Sequence, residues 1–428
     1  MTKPLRLAIA GLGTVGAGIL KIVQQHGDLL AARAGRPVEI VAISARSRSK
    51  DRGVGLSGYA WEDDAVALAR RDDVDVLIEV IGGEDGPAKA TVETALKNGK
   101  HVVTANKALL AIHGQDLAML AEENGVALRF EAAVAGGIPI VKALTEGLAA
   151  NKIERVMGVM NGTCNYILTV MEHTGADYAD ILRDAQELGY AEADPTVDVG
   201  GFDAAHKLSL LAATAFGTQV DFDGVKIEGI ERISLTDIKD TAGMGYRIKL
   251  LGVARMNDDG LEQRMQPCLV PATSALGTLE GVSNMVIVEG DHVGQIVLQG
   301  PGAGEGPTAS AVMGDVIDIA RGLNIPAFGQ PAKTLTKAQR STTGADAEYY
   351  LRFSLADEAG VMAAVSATLG EHGVSINRMR QYDHDDDMAP VIIVTHKVSR
   401  TKLDNALGVI AAMDVSLEKP IAIRIETV

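Results

Sequence analysis

Cysteine is nearly absent from this sequence. Cys164 and Cys268 are the only two in 428 residues and show no CxxC spacing, which excludes a disulfide framework and fits reduced thiols. Long apolar runs are missing as well: none reaches the roughly 18 residues that a spanning helix requires. The first residues, MTKPLRLAIAGLG, pass directly into a strand and turn without a cleavable signal pattern, so a cytoplasmic protein that spans no membrane is expected. Basic charge is in deficit, with 40 Lys and Arg against 56 Asp and Glu. A net charge of −16 argues against nonspecific binding to nucleic acid or to an anionic membrane. Aromatic residues make up only 4%. Glycine is plentiful instead, at 47 residues, and implies the many tight turns of α/β folds. A chain this long is expected to form two or three domains.

The most informative stretch runs from residue 188 to 207, LGYAEADPTVDVGGFDAAHK, where an acid-rich loop enters an otherwise apolar helix continuing as LSLLAATAFG. That helix leaves little room for a solvated face, so it should be mostly buried. Asp203 and Lys207 stand four residues apart, about 40° around the helix, and so share one face. An ordinary intrahelical ion pair is the plain reading. Charges in an apolar helix are costly unless paired, however, and often mark functional sites. Glu192, Asp194 and Asp198 in the preceding loop can hold a cationic group of a small substrate beside that lysine.

At the other end, a strand at 5–10 precedes Gly11-Leu-Gly13-Thr14-Val15-Gly16 and a helix, the context a dinucleotide fingerprint requires. Gly11 permits the turn, Gly13 lets backbone approach a pyrophosphate, and Gly16 allows close helix packing. The second strand, 38–43, ends in basic residues including Arg46, Arg48 and Lys50 rather than an acid. That favours NADP over NAD if the arginines face the ribose, and a solvated loop if they do not. Further strands at 76–81 and 101–104 alternate with a helix at 87–98, as in a doubly wound sheet. Lys107 follows the strand ending at Thr104, where ligands bind in such sheets; it faces cofactor or substrate, or is a generic loop lysine. A strand at 127–130 leads to Glu131-Ala-Ala-Val134-Ala-Gly136-Gly-Ile138-Pro139, a small-residue loop able to turn carbonyls toward a hard cation.

The middle of the chain reads as a strand from 153, a helix opened by Asn161-Gly-Thr-Cys164-Asn-Tyr166, and a helix at 178–187 capped by Gly189. Cys164, near a helix start, has the setting of an activated nucleophile, but no histidine in the motif stands as its base, so a buried structural thiol is expected. Short strand-like runs follow, with a hairpin at 285–298 in a mixed sheet suited to an oligomer interface. Gly300-Pro-Gly302-Ala-Gly304-Glu-Gly306 then feeds a helix from 309, either as a structural turn or as a loop over the cofactor. Residues 331–348 are polar and lack apolar periodicity, which reads as a linker or surface crossing. Beyond it the pattern restarts as a βαββαβ unit, with strands at 349–355, 374–382, 390–398 and 421–426 and helices at 360–369 and 402–413. The turn His384–Asp387 binds a metal or is a solvated acidic tip.

Taken together, GLGTVG, TANKALLAIHG, FEAAVAGGIPI, NGTCNYIL, GYAEADPTVDVGGFDAAHK and GPGAGEGPTAS, in that order from residue 11 to residue 310, resemble the homoserine dehydrogenase family. The tail is similar to an ACT domain. That resemblance implies a Rossmann-like dinucleotide domain (1–140), a central α+β substrate-binding and dimerisation domain (141–330) whose helix after 306 returns to the first, a linker (331–348) and a ferredoxin-like ACT domain (349–428). It implies reversible hydride transfer between L-homoserine and L-aspartate 4-semialdehyde with NADPH or NADH, on the route to threonine, methionine and isoleucine. Lys207 would be the general acid/base, with Glu192, Asp203 and Asp198 holding the substrate and Lys107 near both nicotinamide and substrate. Gly189 and Gly304 would complete the cleft, and Glu131, Val134, Gly136 and Ile138 would bind a sodium ion. A homodimer or higher homo-oligomer and a threonine effector are further expectations. The tail departs from the ACT pattern in one place, since Asp357-Glu-Ala359-Gly360 lacks the usual proline. Two other readings stay open on the residues alone: a phosphorylating semialdehyde dehydrogenase using Cys164, and a sensor that binds cofactor without turnover.

Overall fold

The computed structural model describes residues 3–342, 344–381 and 388–428. Its first sheet comprises β1 (Leu5–Ala10), β2 (Val38–Ser44), β3 (Ala60–Glu62), β4 (Val76–Glu79), β5 (His101–Thr104) and β6 (Leu128–Arg129), in the order β3-β2-β1-β4-β5-β6. Every neighbouring pair in it is parallel. Helices cover both faces, so its central strands are buried along nearly their whole length and read as unbroken apolar runs. The order reverses direction between β1 and β4, which opens a crevice at the carboxyl ends of the strands. β3 has three half-buried residues, too few to show a period in the sequence.

The Glu305–Ala320 helix returns to this sheet and lies along the Thr14–Ala34 helix. Gly18 makes the approach possible, since a Cβ there would sit 2.7 Å from Glu305 Cγ and 3.1 Å from Ala309 Cβ. Ala309, Val312 and Val316 join Leu7, Ile9 and Ile19 in one core. Lys21 and Glu305 close its edge with an ion pair of 2.8 Å.

The second sheet contains β7 (Ile153–Val159), β8 (Lys226–Ile227), β9 (Tyr246–Asn257), β10 (Gly260–Pro271), β11 (Ser283–Gly290) and β12 (Gly294–Pro301). Four more strands come from the tail: β13 (Glu348–Ala356), β14 (Ile376–Gln381), β15 (Met388–Thr395) and β16 (Ile421–Ile425). The order is β12-β11-β7-β9-β10-β16-β13-β15-β14, with β8 beside β10. In place of the short runs expected after the central helix, β9 and β10 are strands of 12 residues each. β9 is buried on both faces from Ile248 to Ala254, so the alternation that announces a strand is missing. One face carries the Phe202–Phe216 helix, whose Leu208 reaches the space over Gly252 beside Met265. On the opposite face Met157, Leu251, Cys268 and Ile287 pack beneath Leu276 and Leu279.

The tail has the expected βαββαβ order, with helices Val361–Glu371 and Arg400–Ala411. It does not stand apart as a separate sheet. β16 pairs in parallel with β10, Cys268 opposite Arg424 and Leu269 opposite Ile425, so the two sheets are one. Buried charges reinforce the seam: Glu426 accepts from Arg264 at 2.6 Å and from Arg155 at 3.1 Å, and Arg155 also holds Glu289. The described residues of 331–348 form a pinned surface crossing, the second of the two readings left open by their composition. Ala332 and Leu335 are buried, Gln219 N–H donates to Thr336 O at 2.9 Å, and Arg340 grips Asp221. The turn at His384–Asp387 lies outside the described residues. Among the described residues no helix is long and apolar enough to cross a membrane.

Candidate active site

β7 ends at Val159, and Met160 and Asn161 then turn the chain into the Gly162–Thr174 helix directly beside the start of the Phe202–Phe216 helix. Lys207, on the second turn of the latter, is buried to 8% exposure. Its Nζ donates to Met160 O at 2.9 Å and to Asp203 Oδ2 at 2.7 Å. The other oxygen of Asp203 pairs with Lys107 Nζ at 3.0 Å. Lys107 opens a helix of the first domain, capped by Asn106, so ammoniums from two domains bracket one carboxylate. Burial alone would push the Asp203 carboxyl up; Lys207 and Lys107 overcome it and hold the group well below the usual carboxylate range. In return Asp203 raises Lys107 above its ordinary value against the opposing pull of burial.

Asp198 completes the cluster. Burial raises its carboxyl, opposed by a hydrogen bond from Asn161 Nδ2 at 2.9 Å. The same amide donates to Asp203 Oδ2 at 3.2 Å. Glu192 is exposed on the loop after Gly189, and its carboxylate takes no part in the ion pairs around Lys207. Cys164 is fully buried with its thiol directed to Asp198 O; burial first, then the Asp198 and Asp203 charges, push it well above its ordinary value. A thiol so placed is a poor nucleophile.

At the crevice of the first sheet the three glycines have separate tasks. Gly11 has φ 106° and no room, since a Cβ would fall 2.5 Å from Val80 O. A Cβ on Gly16 would lie 2.1 Å from Gly11 O. Nothing stands within 4 Å of one on Gly13, which leaves a bare stretch of backbone at the start of the helix opened by Thr14 and Val15. That cradle fits a pyrophosphate. Gly13→Ala is therefore expected to melt like the parent but bind dinucleotide more weakly, whereas Gly16→Ala also loses about 1–3 kcal/mol of stability by overpacking. Parallel melting curves and fluorescence titrations with NADPH check the contrast.

Arg46 and Arg48 are exposed after β2, Arg48 lying 5.7 Å from the Trp61 ring centroid. The arginine that ties this loop to the glycine turn is Arg52, whose Nε donates to Leu12 O at 2.9 Å. Sequence patterns gave it no role. Glu79 was missed too: fully buried, it accepts from Thr104 Oγ1 and from the amides of Ile81 and Gly82, while Asn106 donates to Gly83 O. This network ties the loop after β4 to Asn106, the residue before Lys107. Gly189 and Gly304 both have positive φ, 75° and 117°, and Gly304 caps the returning helix.

In the loop from Glu131, Ala135 and Gly136 are consecutive left-handed residues at φ 54° and 52°, and Gly136 lies against Gly302 O. Val134 and Ile138 are buried. The Glu131 carboxylate is occupied by the amides of Val141 and Lys142 at 2.9 and 2.8 Å. Burial, and then Asp315, push it up to about 7.

Comparison with known proteins bears directly on this arrangement. The family model described as "Homoserine dehydrogenase, NAD binding domain" matches residues 11–131, that of homoserine dehydrogenase residues 139–317, and that of the ACT domain residues 349–414. A homoserine dehydrogenase of Neisseria gonorrhoeae is 43% identical, with 99% of each chain covered. The crystal structure of one from Thiobacillus denitrificans superposes with a TM-score of 0.94 at 39% identity over 99% of both chains. A hyperthermophilic archaeal homoserine dehydrogenase mutant in complex with NADPH gives 0.64 at 25% identity, covering 74% of this chain and 97% of its own. With its nicotinamide-cofactor domain, its paired lysines and its ACT tail, the chain belongs to the homoserine dehydrogenase family.

Proposed function

We propose that the enzyme interconverts L-homoserine and L-aspartate 4-semialdehyde with Lys207 as the proton carrier, on the route to threonine, methionine and isoleucine. The observation carrying this reading is the bracket of Lys207 and Lys107 around Asp203. Reduction of an aldehyde builds negative charge on its oxygen, and a positioned ammonium stabilises that charge and then supplies the proton. A bound nicotinamide supplies the hydride. Met160 O and Asp203 together fix the Lys207 amine, and Lys107 carries a second positive charge to the same place from the cofactor side. Asp203 already accepts from three donors, so the substrate ammonium falls mainly to Asp198 and Glu192, with one acceptor site of Asp203 left to share in holding it.

NADP is the preferred cofactor in this reading. The basic residues after β2, Arg46 among them, and the archaeal relative's complex with NADPH support it. A sodium ion is proposed at the loop of Glu131, Val134, Gly136 and Ile138. The left-handed pair Ala135–Gly136 supports it, and main-chain oxygens would be the ligands, since the Glu131 carboxylate is engaged and no cluster of three or more acidic, His or Cys side chains suited to a metal occurs among the described residues. We read the tail as a threonine-responsive regulator, and the exposed edge strand β12 as support for a homodimer or larger homo-oligomer in the cytoplasm.

One assay tests the set. Homoserine oxidation followed at the absorbance of the reduced nicotinamide, with NADP or NAD and with or without threonine, is expected to run with a higher kcat/KM for NADP and to fall with threonine. Turnover that needs phosphate and dies with Cys164→Ser would overturn the acid/base reading. A rate unmoved by threonine would remove the regulatory one.

A further inference from the structure

We propose that Asn161 is a positioning residue of this site: its single amide aligns Asp198 and Asp203 under Lys207 by giving one N–H to each. The inference rests on the reading of Lys207 as proton carrier. Asn161 is buried at 4% exposure and every polar atom of its side chain is engaged. Oδ1 accepts the Cys164 N–H at 2.8 Å and so caps the Gly162–Thr174 helix. Nδ2 donates to Asp198 Oδ1 at 2.9 Å and to Asp203 Oδ2 at 3.2 Å.

The capping bond has a consequence for the other two. It fixes the amide plane, since a flipped Asn161 would aim its oxygen at two carboxylates and its NH2 at a backbone donor. Two half-buried acids are thereby joined through a group that neither gains nor loses a proton. The neighbouring residue contributes in parallel, because Met160 O accepts from Lys207. One turn at the end of β7 thus holds the lysine and both acids at once. Asp203 needs no help to stay ionised, with two ammoniums on it. Asp198 does: it faces Asp203 and Lys207 from one helix, Lys107 from the first domain and the Cys164 thiol from another helix, and burial already favours its neutral form. The Asn161 bond works against that burial. A substrate ammonium docks on an ionised Asp198, so the amide sets the lower pH limit of binding.

The test uses two full-length variants that both retain a capping side chain. Asn161→Ser removes both donors without adding charge, and Asn161→Asp keeps the size and cap but presents oxygen to the two acids. For Asn161→Ser, kcat/KM for homoserine is expected to fall about 10–100-fold, the scale of a small misplacement of reacting groups. Its acid limb should move to higher pH, because Asp198 loses a donor that favours the ion, while the affinity for NADPH measured by fluorescence stays unchanged. Asn161→Asp should fall further and melt below the parent, since it sets a third carboxyl against two acids; should the serine variant not fold, the acid limb of Asn161→Asp, read below its own melting transition, carries the test. A kcat/KM within twofold of the parent, or a fall with an unmoved acid limb, overturns the proposal. Lys207→Ala run alongside separates the two claims: if it stays active, the reading of the site fails; if it is dead while Asn161→Ser is unaltered, only the positioning role fails.

Discussion

Lys207→Ala is expected to lower kcat by about 10³-fold or more in both directions, near the upper range for removal of a general acid/base. The fold should survive the change. Asp203 keeps its partner Lys107 at 3.0 Å and its bond from Asn161, so its carboxylate is not left alone, and the cost of the buried methylenes removed is a lower melting temperature rather than unfolding. NADPH binding should also persist, since the glycine turn at 11–16 belongs to a different sheet and makes no contact through this lysine. Lys207→Arg separates charge from proton transfer. A guanidinium keeps the positive charge but gives up its proton far less readily. If the arginine variant turns over within tenfold of the parent, the side chain acts through its field alone. Steady-state kinetics in both directions, with binding by fluorescence quenching, decide between these outcomes.

Glu426→Gln is expected to cost about 3–5 kcal/mol of stability, the penalty for removing one member of a buried ion pair. On a domain of this size that corresponds to a melting temperature lower by on the order of 10 °C. Burial pushes the Glu426 carboxyl up, but Arg264 and Arg424 pull it below its ordinary value. A carboxyl depressed in this way stabilises the fold above its unfolded pKa, and that contribution disappears as pH falls through the folded one. The gap between variant and parent should therefore be widest at neutral pH and close on acidification. Melting curves from neutral to acid pH read it directly; a gap that stays constant would mean the charge is not what matters.

Much of this molecule was written where physical constraints are local. The turn GLGTVG, the βαββαβ order of the tail and the Asp203–Lys207 pair all depend on spacing within one or two turns of chain, and all three are visible in the sequence. Lys107 was legible as a lysine at a strand's carboxyl end, although its meeting with Asp203 was not. What stayed hidden depends on neighbours distant in the chain. β9 is covered on one side by the Phe202–Phe216 helix and on the other by Leu276 and Leu279, so its burial erased its own period. Asn161 was visible as a helix opener, but its two acids come from two other elements, the short turn of helix at Thr196–Val199 and the Phe202–Phe216 helix. The polar composition of 331–348 left a linker and a surface crossing both open, and what decides between them is distant in the chain: backbone and charges there are held by residues 218–221 and 259–262. Composition reports what can be solvated, not what is tied down.

The pairing of β16 with β10 also bears on how this enzyme can be cut. Ending the chain at residue 348 would not release a self-sufficient dehydrogenase. It would bare the margin of β10 at Cys268 and Leu269, the positions that pair with β16, and take Glu426 from the Arg264 guanidinium, leaving that group to Glu262 alone. A shortened version should be sticky in solution unless that margin is redesigned, for instance by grafting residues 421–426 back as a terminal strip.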